Sequence, residues 1–276
     1  MWHHRPVAAP LVIDDPTDRR VLAYTALTDA QLRRQFEEAD GSFIAEGVLV
    51  IRRLLASSYT VRSVLVTPAR HADLAADLAG LDDVAVYVAE RAVMNAVAGF
   101  DIHRGAVAVA ARQPLPAPAA VLASSHTIAV LEGINDVENL GALARSASAL
   151  GVDALVLDPT CADPLYRRCV RVSMGEVLFV PHTRLAPWPD GLAAVIDAGF
   201  RVLALTPDDD APTIDQLTVA RDDKIALVLG AEGPGLSAAV LARSERVRIA
   251  IRPGVDSLNV GHAAAIAFHE IARRRC

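Results

Sequence analysis

LVLGAEGPGLSAAVLARSERVRIAIRPGVDSLNVGHAAAIAFHEI, running from Leu227 to Ile271, is the stretch from which the rest of the chain is read. It holds two strand-to-loop transitions close together. An apolar run ending at Leu229 gives way to Gly230-Ala231-Glu232-Gly233-Pro234-Gly235. A second short run, residues 247–251, gives way to Arg252-Pro253-Gly254-Val255-Asp256-Ser257-Leu258-Asn259. Each run has the length of a buried strand. The glycines let backbone approach a ligand closely, and the polar groups stand at strand ends, where open α/β sheets carry their sites. Residues 260–273 then read as an alanine-rich helix. The order Gly-Ala-Glu-Gly-Pro-Gly is not G-x-G-x-x-G and does not sit in a first strand–turn–helix unit, which argues against a dinucleotide-binding fold.

A third segment carries the same kind of chemistry upstream: Asn135-Asp136-Val137-Glu138-Asn139-Leu140-Gly141-Ala142-Leu143-Ala144-Arg145. Taken in order, this segment, Leu229–Ser237 and Val255–Val260 resemble the three motifs of the SpoU family of RNA 2′-O-ribose methyltransferases, within the knotted SPOUT class. The resemblance covers nearly all of the chain after about residue 40. It implies S-adenosylmethionine as cofactor, RNA (rRNA or tRNA) as partner, and a homodimer whose site lies at the subunit interface. The positions matching the family's cofactor contacts are Gly230, Ile249, Ile251 and Leu258, with Thr206 at the end of the preceding strand. The catalytic set that it implies is Asn139, Arg145, Glu232, Ser257 and Asn259.

The residue types suit these roles. Asn139 and Arg145 lie six apart and so do not stack on one helix face. Helix N-terminal amides plus an arginine make a phosphate or ribose site. A guanidinium keeps its proton near neutral pH, so Arg145 is expected to act as a cation, holding a phosphate and stabilising a developing alkoxide. Ser257 and Asn259 can bond a ribose or hold Arg145, and either can cap the helix starting near Val260. Glu232 carries the wrong charge for phosphate and is expected to orient its neighbours. Taken singly, Ile249, Ile251 and Leu258 would read as core. The family's usual Ser-Leu-Asn-Val-Ser-Val stands here as Ser257-Leu258-Asn259-Val260-Gly261-His262; a packed or dimer-facing role is expected for His262.

The 276 residues suffice for one large or two ordinary domains. With 53% hydrophobic and 22% charged residues, a sizeable core is expected. The net charge of −6 means that RNA contact must rest on local arginine patches. Three cysteines, Cys161, Cys169 and Cys276, show no CxxC spacing, so no metal site and a reduced, cytoplasmic protein are expected. No run reaches transmembrane length, so no membrane partner is expected.

The pattern is α/β: a small L30e-like N-terminal α/β domain followed by a trefoil-knotted SPOUT catalytic domain, the L30e likeness and the knot being implied by the resemblance alone. Residues 1–25 read as irregular, 26–112 as the RNA substrate-binding domain, the proline-rich stretch 113–120 as a linker, and 121–276 as the catalytic domain. In the first domain a helix is expected over 28–38, and Arg52, Arg53, Arg62, Arg70 and Arg104, near Glu46 and Gly47, are candidate RNA contacts. In the second, a strand is expected over 177–180. Arg167, Arg168 and Arg171 form a basic patch, and Arg273, Arg274 and Arg275 a second. The rival from another class is a catalytically silent RNA-binding protein on the same fold.

Overall fold

The computed structural model describes residues 10–25, 27, 37, 39–79, 81 and 83–275. The chain forms two compact units: Met1–Gln113 with Leu165–Leu178, and Pro114–Pro164 with Phe179–Cys276. The segment Leu165–Leu178 therefore lies with the first unit, whereas the sequence reads 121–276 as one block.

The first unit holds a five-stranded sheet ordered β1-β4-β3-β5-β2. Its strands are β1 (Leu11–Ile13), β2 (Ser42–Glu46), β3 (Val61–Val66), β4 (Ala85–Ala89) and β5 (Ala106–Ala111). β1, β4 and β3 run parallel, while β5 is antiparallel to β3 and β2. β5 alternates alanine and valine, small enough for both faces to be covered, and five of its six residues are buried. Residues 1–25 are not irregular throughout. Leu11–Ile13 adds a parallel edge strand and Arg19–Tyr24 a 3-10 turn, because Ile13, Val21 and Tyr24 bury their side chains completely in this unit's core. Pro10 and Pro16 on either side mask that short strand in the sequence. The helix expected over 28–38 lies outside the described residues, save for Glu37.

β2 is buried along its whole length although it is an edge strand, since the helix Arg167–Val172 packs on it. At its end Glu46 is buried and accepts a 2.5 Å bond from Arg167 Nη1 and a 3.3 Å bond from Arg171 Nη1. Arg167 is itself buried, donates through Nη2 to the Leu27 carbonyl at 3.0 Å, and lies 5.1 Å from the Phe100 ring centroid. A buried charge persists only when paired and hydrogen-bonded in this way.

The second unit holds a six-stranded, all-parallel sheet ordered β11-β9-β10-β6-β7-β8. The strands are β6 (Thr127–Glu132), β7 (Ala154–Leu157), β8 (His182–Arg184), β9 (Phe200–Leu205), β10 (Lys224–Gly230) and β11 (Glu245–Val247). β6, β7 and β10 read as continuous apolar runs, as strands covered on both faces do. Two strand expectations are corrected. Residues 176–178 form a 3-10 turn, and the strand is His182–Arg184, whose polar His182 and Thr183 are buried with bonds to the Val180 and Pro116 carbonyls. The last strand ends at Val247, so Ile249 and Ile251 belong to a loop. The 113–120 stretch is extended only in part: Pro118 begins a helix to Ser124, with its fixed φ at the first turn.

Candidate functional site

At the C-terminal ends of β9 and β10 the second unit has a cleft of about 490 Å3. Leu205, Thr206 and Pro207 line it from β9, and residues 229–233 with Gly235 from β10 and its loop. Ile249, Ile251, Ser257, Leu258 and Asn259 line it from the last loop, with Val260 and Ala263 from the final helix. All five residues expected against a cofactor (Thr206, Gly230, Ile249, Ile251 and Leu258) are in that lining, as are Glu232, Ser257 and Asn259. Ile249, Ile251 and Leu258 are only partly covered or exposed rather than buried, which marks a cleft wall and not a core.

Gly230 is required by contact rather than by dihedral angle. A Cβ there would stand 2.5 Å from the Gly235 carbonyl carbon and 2.6 Å from the Leu236 nitrogen, both backbone. The loop therefore folds directly onto its own origin, and Gly235 N donates to the Ala231 carbonyl at 3.1 Å. Gly233 and Gly235 take positive φ of 90° and 67°, where glycine is the natural residue.

The helix after β6 begins at Val137, two residues earlier than Asn139. Asp136 caps it, its Oδ1 accepting from the amides of Glu138 at 2.9 Å and Asn139 at 2.8 Å. The final helix, Val260–Arg275, packs across it. Asn259 caps the final helix: its Oδ1 accepts from Gly261 N at 3.0 Å and His262 N at 3.3 Å. Its Nδ2 donates to Asn139 Oδ1 at 2.8 Å and to Glu232 Oε1 at 2.7 Å. Ser257 makes no bond to either helix among the described residues, so the cap is Asn259 alone.

These bonds fix amide orientations that distances alone would leave open. The two backbone amides demand the oxygen of Asn259, so its nitrogen must face Asn139 and Glu232. Asn139 must then present its oxygen to Asn259, which leaves its own Nδ2 as a pair of free donors. Gly261 permits the approach of the two helices. A Cβ there would stand 3.2 Å from Ala142 Cβ and 3.2 Å from Asn259 Oδ1, so the serine usual in the family would crowd this junction. His262 is exposed.

Arg145 departs from expectation. Asn259 bonds both Glu232 and Asn139, and none of the three bonds Arg145. Arg145 is exposed, does not line the cleft, and has no ion pair or side-chain bond among the described residues. The expected basic patches are likewise altered. Arg52 bonds Asp77, Arg53 pairs with Glu176, Arg62 with Asp40 and Arg70 with Asp73. Arg167 is buried on Glu46, so residues 167–171 do not form a solvated basic face. Arg273 and Arg274 both pair with Glu270. Arg104 is exposed and covers Gly47, whose added Cβ would meet its Cδ at 2.9 Å.

Two carboxylates near the strand ends were not singled out from the sequence. Asp158, buried after β7, accepts from Gly133 N at 2.9 Å and from the amides of Thr160 and Cys161, both at 2.7 Å. Glu132, at the end of β6, accepts from Ser237 and Trp188. The partners of Glu132 and the Gly133 partner of Asp158 lie far off in sequence, so local spacing shows no more than the Asp158 turn onto Thr160 and Cys161. Beside Asp158, burial above all, with that carboxylate adding to it, pushes the Cys161 thiol up to about 12. Cys161 and Cys169 are buried thiols, in no disulfide. Among the described residues no group of three His, Cys, Asp or Glu side chains could hold a metal, and no helix is long and apolar enough to cross a membrane.

Comparison with known proteins bears on what this cleft binds. The model of the SpoU rRNA Methylase family matches residues 126–269. The chain is 48% identical over 261 residues to the uncharacterized tRNA/rRNA methyltransferase Rv0881 of Mycobacterium tuberculosis, covering 94% of this chain and 90% of that one. It is 30% identical over 234 residues to the 23S rRNA (guanosine-2′-O-)-methyltransferase RlmB of a Burkholderia species, covering 82% and 94%. Among solved structures, an AdoMet-bound rRNA methyltransferase from Sinorhizobium meliloti matches with a TM-score of 0.79 at 24% identity, over 95% of this chain and 97% of that one. The SpoU methyltransferase AviRb from Streptomyces viridochromogenes, solved with AdoMet, matches at 0.77 and 20% identity, over 94% and 99%. At such identities the two structures speak for the α/β fold with its parallel sheet.

Proposed function

Since the chain belongs to the SpoU rRNA methylase family, we propose that it methylates a ribose 2′-hydroxyl of rRNA or tRNA, using S-adenosylmethionine. The observation that carries this reading is the single cleft into which both C-terminal loops turn their motif residues, with the Asn139–Asn259–Glu232 chain of hydrogen bonds at its edge. The name of the Burkholderia relative supports the 2′-hydroxyl as acceptor and rRNA as substrate.

The residues present fit the cofactor. The cleft is of the size that small-molecule ligands occupy. Leu229, Ile249, Ile251 and Leu258 offer an apolar surface for an adenine, and Thr206 and Ser257 offer hydroxyls. The absence of a side chain at Gly230 keeps the loop backbone close to the cleft. When bound, S-adenosylmethionine supplies an electrophilic methyl group on a sulfonium.

The protein's part is to hold the acceptor oxygen and manage its proton. Asn139, its oxygen engaged by Asn259, offers only donors and is suited to fixing a ribose oxygen. Glu232 keeps Asn259 turned toward Asn139. Arg145 stays cationic, holds a neighbouring phosphate and lowers the cost of charge on the 2′-oxygen, while the proton passes to a phosphate oxygen or to water. Because Arg145 lies outside the cleft lining, we assign this task to Arg145 of a second copy, in a homodimer. Holding the groups in line supplies much of the rate.

Three further readings belong to this proposal. The catalytic unit is a trefoil-knotted SPOUT domain. The first unit, L30e-like, binds the RNA substrate, with Arg104 among its exposed cations. The buried thiols of Cys161 and Cys169 suit a reducing, cytoplasmic compartment.

Calorimetry with S-adenosylmethionine or its demethylated product, beside NAD, tests the cleft. Mapping ribose methylation in RNA from a strain lacking the protein, against its parent, tests the reaction. Preferred NAD binding, or a methylation map with no lost ribose site, would overturn the reading; cofactor binding with no lost site would favour the silent RNA-binding rival.

A further inference from the structure

Glu132 closes the loop that forms one wall of the cleft. The loop leaves β10 at Gly230, and the residue paired with Gly230 across the sheet is Glu132 on β6. The loop returns at Ser237, and there the same Glu132 takes hold of it. Ser237 N donates to Oε2 at 2.8 Å, and Ser237 Oγ donates to Oε1 at 2.8 Å. A third donor, Trp188 Nε1, reaches Oε1 at 2.8 Å from the turn before the Leu192–Asp197 helix. Ser237 is also the cap of the short Ala238–Leu241 helix, its Oγ accepting from Val240 N at 3.3 Å. The hydroxyl is thereby used in both directions, as donor to Glu132 and as acceptor from the helix. Trp188 and Leu236 pack on the unit's apolar core on either side of this junction.

Three segments distant in sequence thus converge on one carboxylate, and four of the residues between its two anchor points, Ala231, Glu232, Gly233 and Gly235, line the cleft. Charge-assisted bonds of this length are the strong ones. The loop's own ties are few, the Ala231–Gly235 turn and the Glu232–Asn259 bond at its outer end; residues 232–235 are exposed, and glycine stands at three of the six positions from 230 to 235. Glu132 does not line the cleft, so it acts through the loop.

We propose that Glu132, with Ser237 and Trp188, is a positioning device that sets the shape of the cofactor cleft without touching the cofactor. The proposal rests on the reading of that cleft as the S-adenosylmethionine site. Removing the carboxylate frees the return end of the loop, and the cleft must then be ordered by the ligand itself. Cofactor binding weakens as a result, while the rate at saturation is kept, because Asn259 is also held outside the loop, by Asn139 and by the Gly261 and His262 amides.

The test uses full-length protein with S-adenosylhomocysteine as calorimetric probe, and steady-state methylation with S-adenosylmethionine. Glu132→Ala should raise Kd for the probe and KM for the cofactor about tenfold, with kcat within twofold. Glu132→Gln should recover part of the loss, since one carbonyl oxygen still accepts two of the three donors. Trp188→Phe keeps the ring in the core but removes one donor, and should raise KM two- to threefold; it also serves if Glu132→Ala does not fold. On a Trp2→Phe background Trp188 is the sole tryptophan. Its emission should shift when the probe binds wild type, and less in Glu132→Ala. No probe binding to wild type would sink the cleft assignment. Wild-type binding with unchanged Kd and KM in the folded variants, or a fall in kcat alone, would sink the positioning role and leave the cleft standing.

Discussion

Asn259→Asp separates the two tasks of one side chain. The oxygen of Asn259 caps the final helix, and its nitrogen orders Asn139 and Glu232. Aspartate keeps an oxygen for the Gly261 and His262 amides, and its charge suits a helix N-terminus. It has no donor to offer, however, and sets a carboxylate oxygen where a donor stood 2.7 Å from Glu232. Alanine loses both tasks. Loss of a cap costs about 1 kcal/mol, or roughly 2–4 °C in Tm for a unit of this size, and alanine should show that loss while aspartate should not. In solvent the two donor bonds are worth little to folding, because all three residues are partly or fully exposed. In a ligand-bound site that excludes water, one neutral and one charge-assisted bond together represent about 2–4 kcal/mol, which is roughly thirty- to several-hundredfold in rate. Thermal melts and single-turnover methylation at saturating cofactor read the two quantities. The expected result is aspartate as stable as wild type and as inactive as alanine. If Asn259→Asp methylates at the wild-type rate, capping is all that Asn259 does and the amide-orientation argument fails.

Four further outcomes are expected. Gly230→Ala drives a Cβ into the backbone of Gly235 and Leu236; it should cost about 1–3 kcal/mol and weaken cofactor binding, and calorimetry beside a denaturant melt checks both. Glu46→Ala strands the buried Arg167 and should destabilise the first unit by about 3–5 kcal/mol, seen as a separate early transition by calorimetry. Arg145→Ala should abolish most activity with unchanged cofactor Kd, and Arg145→Lys should recover part of it; an arginine acting as the base would instead gain nothing from lysine, and full activity in the alanine variant would leave Arg145 an ordinary surface residue. Cys161 is raised from an ordinary thiol value of 9.0 to about 12 in the fold. The unfolded chain therefore ionises first, and stability should fall as pH rises through that window. At pH 8 iodoacetamide should modify Cys161, as read by mass spectrometry, only after denaturant is added.

What the sequence made legible follows from what its local patterns can encode. β7 is a bounded apolar run, Ala154-Leu155-Val156-Leu157, of the kind that a short window of sequence can mark. Residues 247–251 misled for a physical reason: Ile249 and Ile251 are apolar because they face a cleft, and a cleft wall has the composition of a core strand. His182–Arg184 was hidden by the converse, two polar residues buried because the Val180 and Pro116 carbonyls satisfy them. The cofactor-side residues could be named because the resemblance lies in contiguous motifs. The Asn139–Asn259 bond and the Glu132 junction join residues more than a hundred positions apart, and no window of sequence holds both ends. The arginines show the limit of charge counting, since clusters that suggested RNA contacts are neutralised by carboxylates brought to them in folding.

The allegiance of Leu165–Leu178 to the first unit bears on how this protein can be dissected. The polypeptide enters that unit, leaves it at the Gln113–Pro114 junction, revisits it for one short passage and leaves again. Cutting at the junction would not yield two autonomous pieces. A fragment beginning at Pro114 would carry the Arg167 guanidinium and the apolar side of its helix into solvent, stripped of Glu46, Phe100 and the Leu27 carbonyl. A fragment ending at Gln113 would keep Glu46 with no cation to meet it. Each half thus holds the other's missing counter-charge, and a graft between relatives would need Glu46 and the 165–178 passage to travel together.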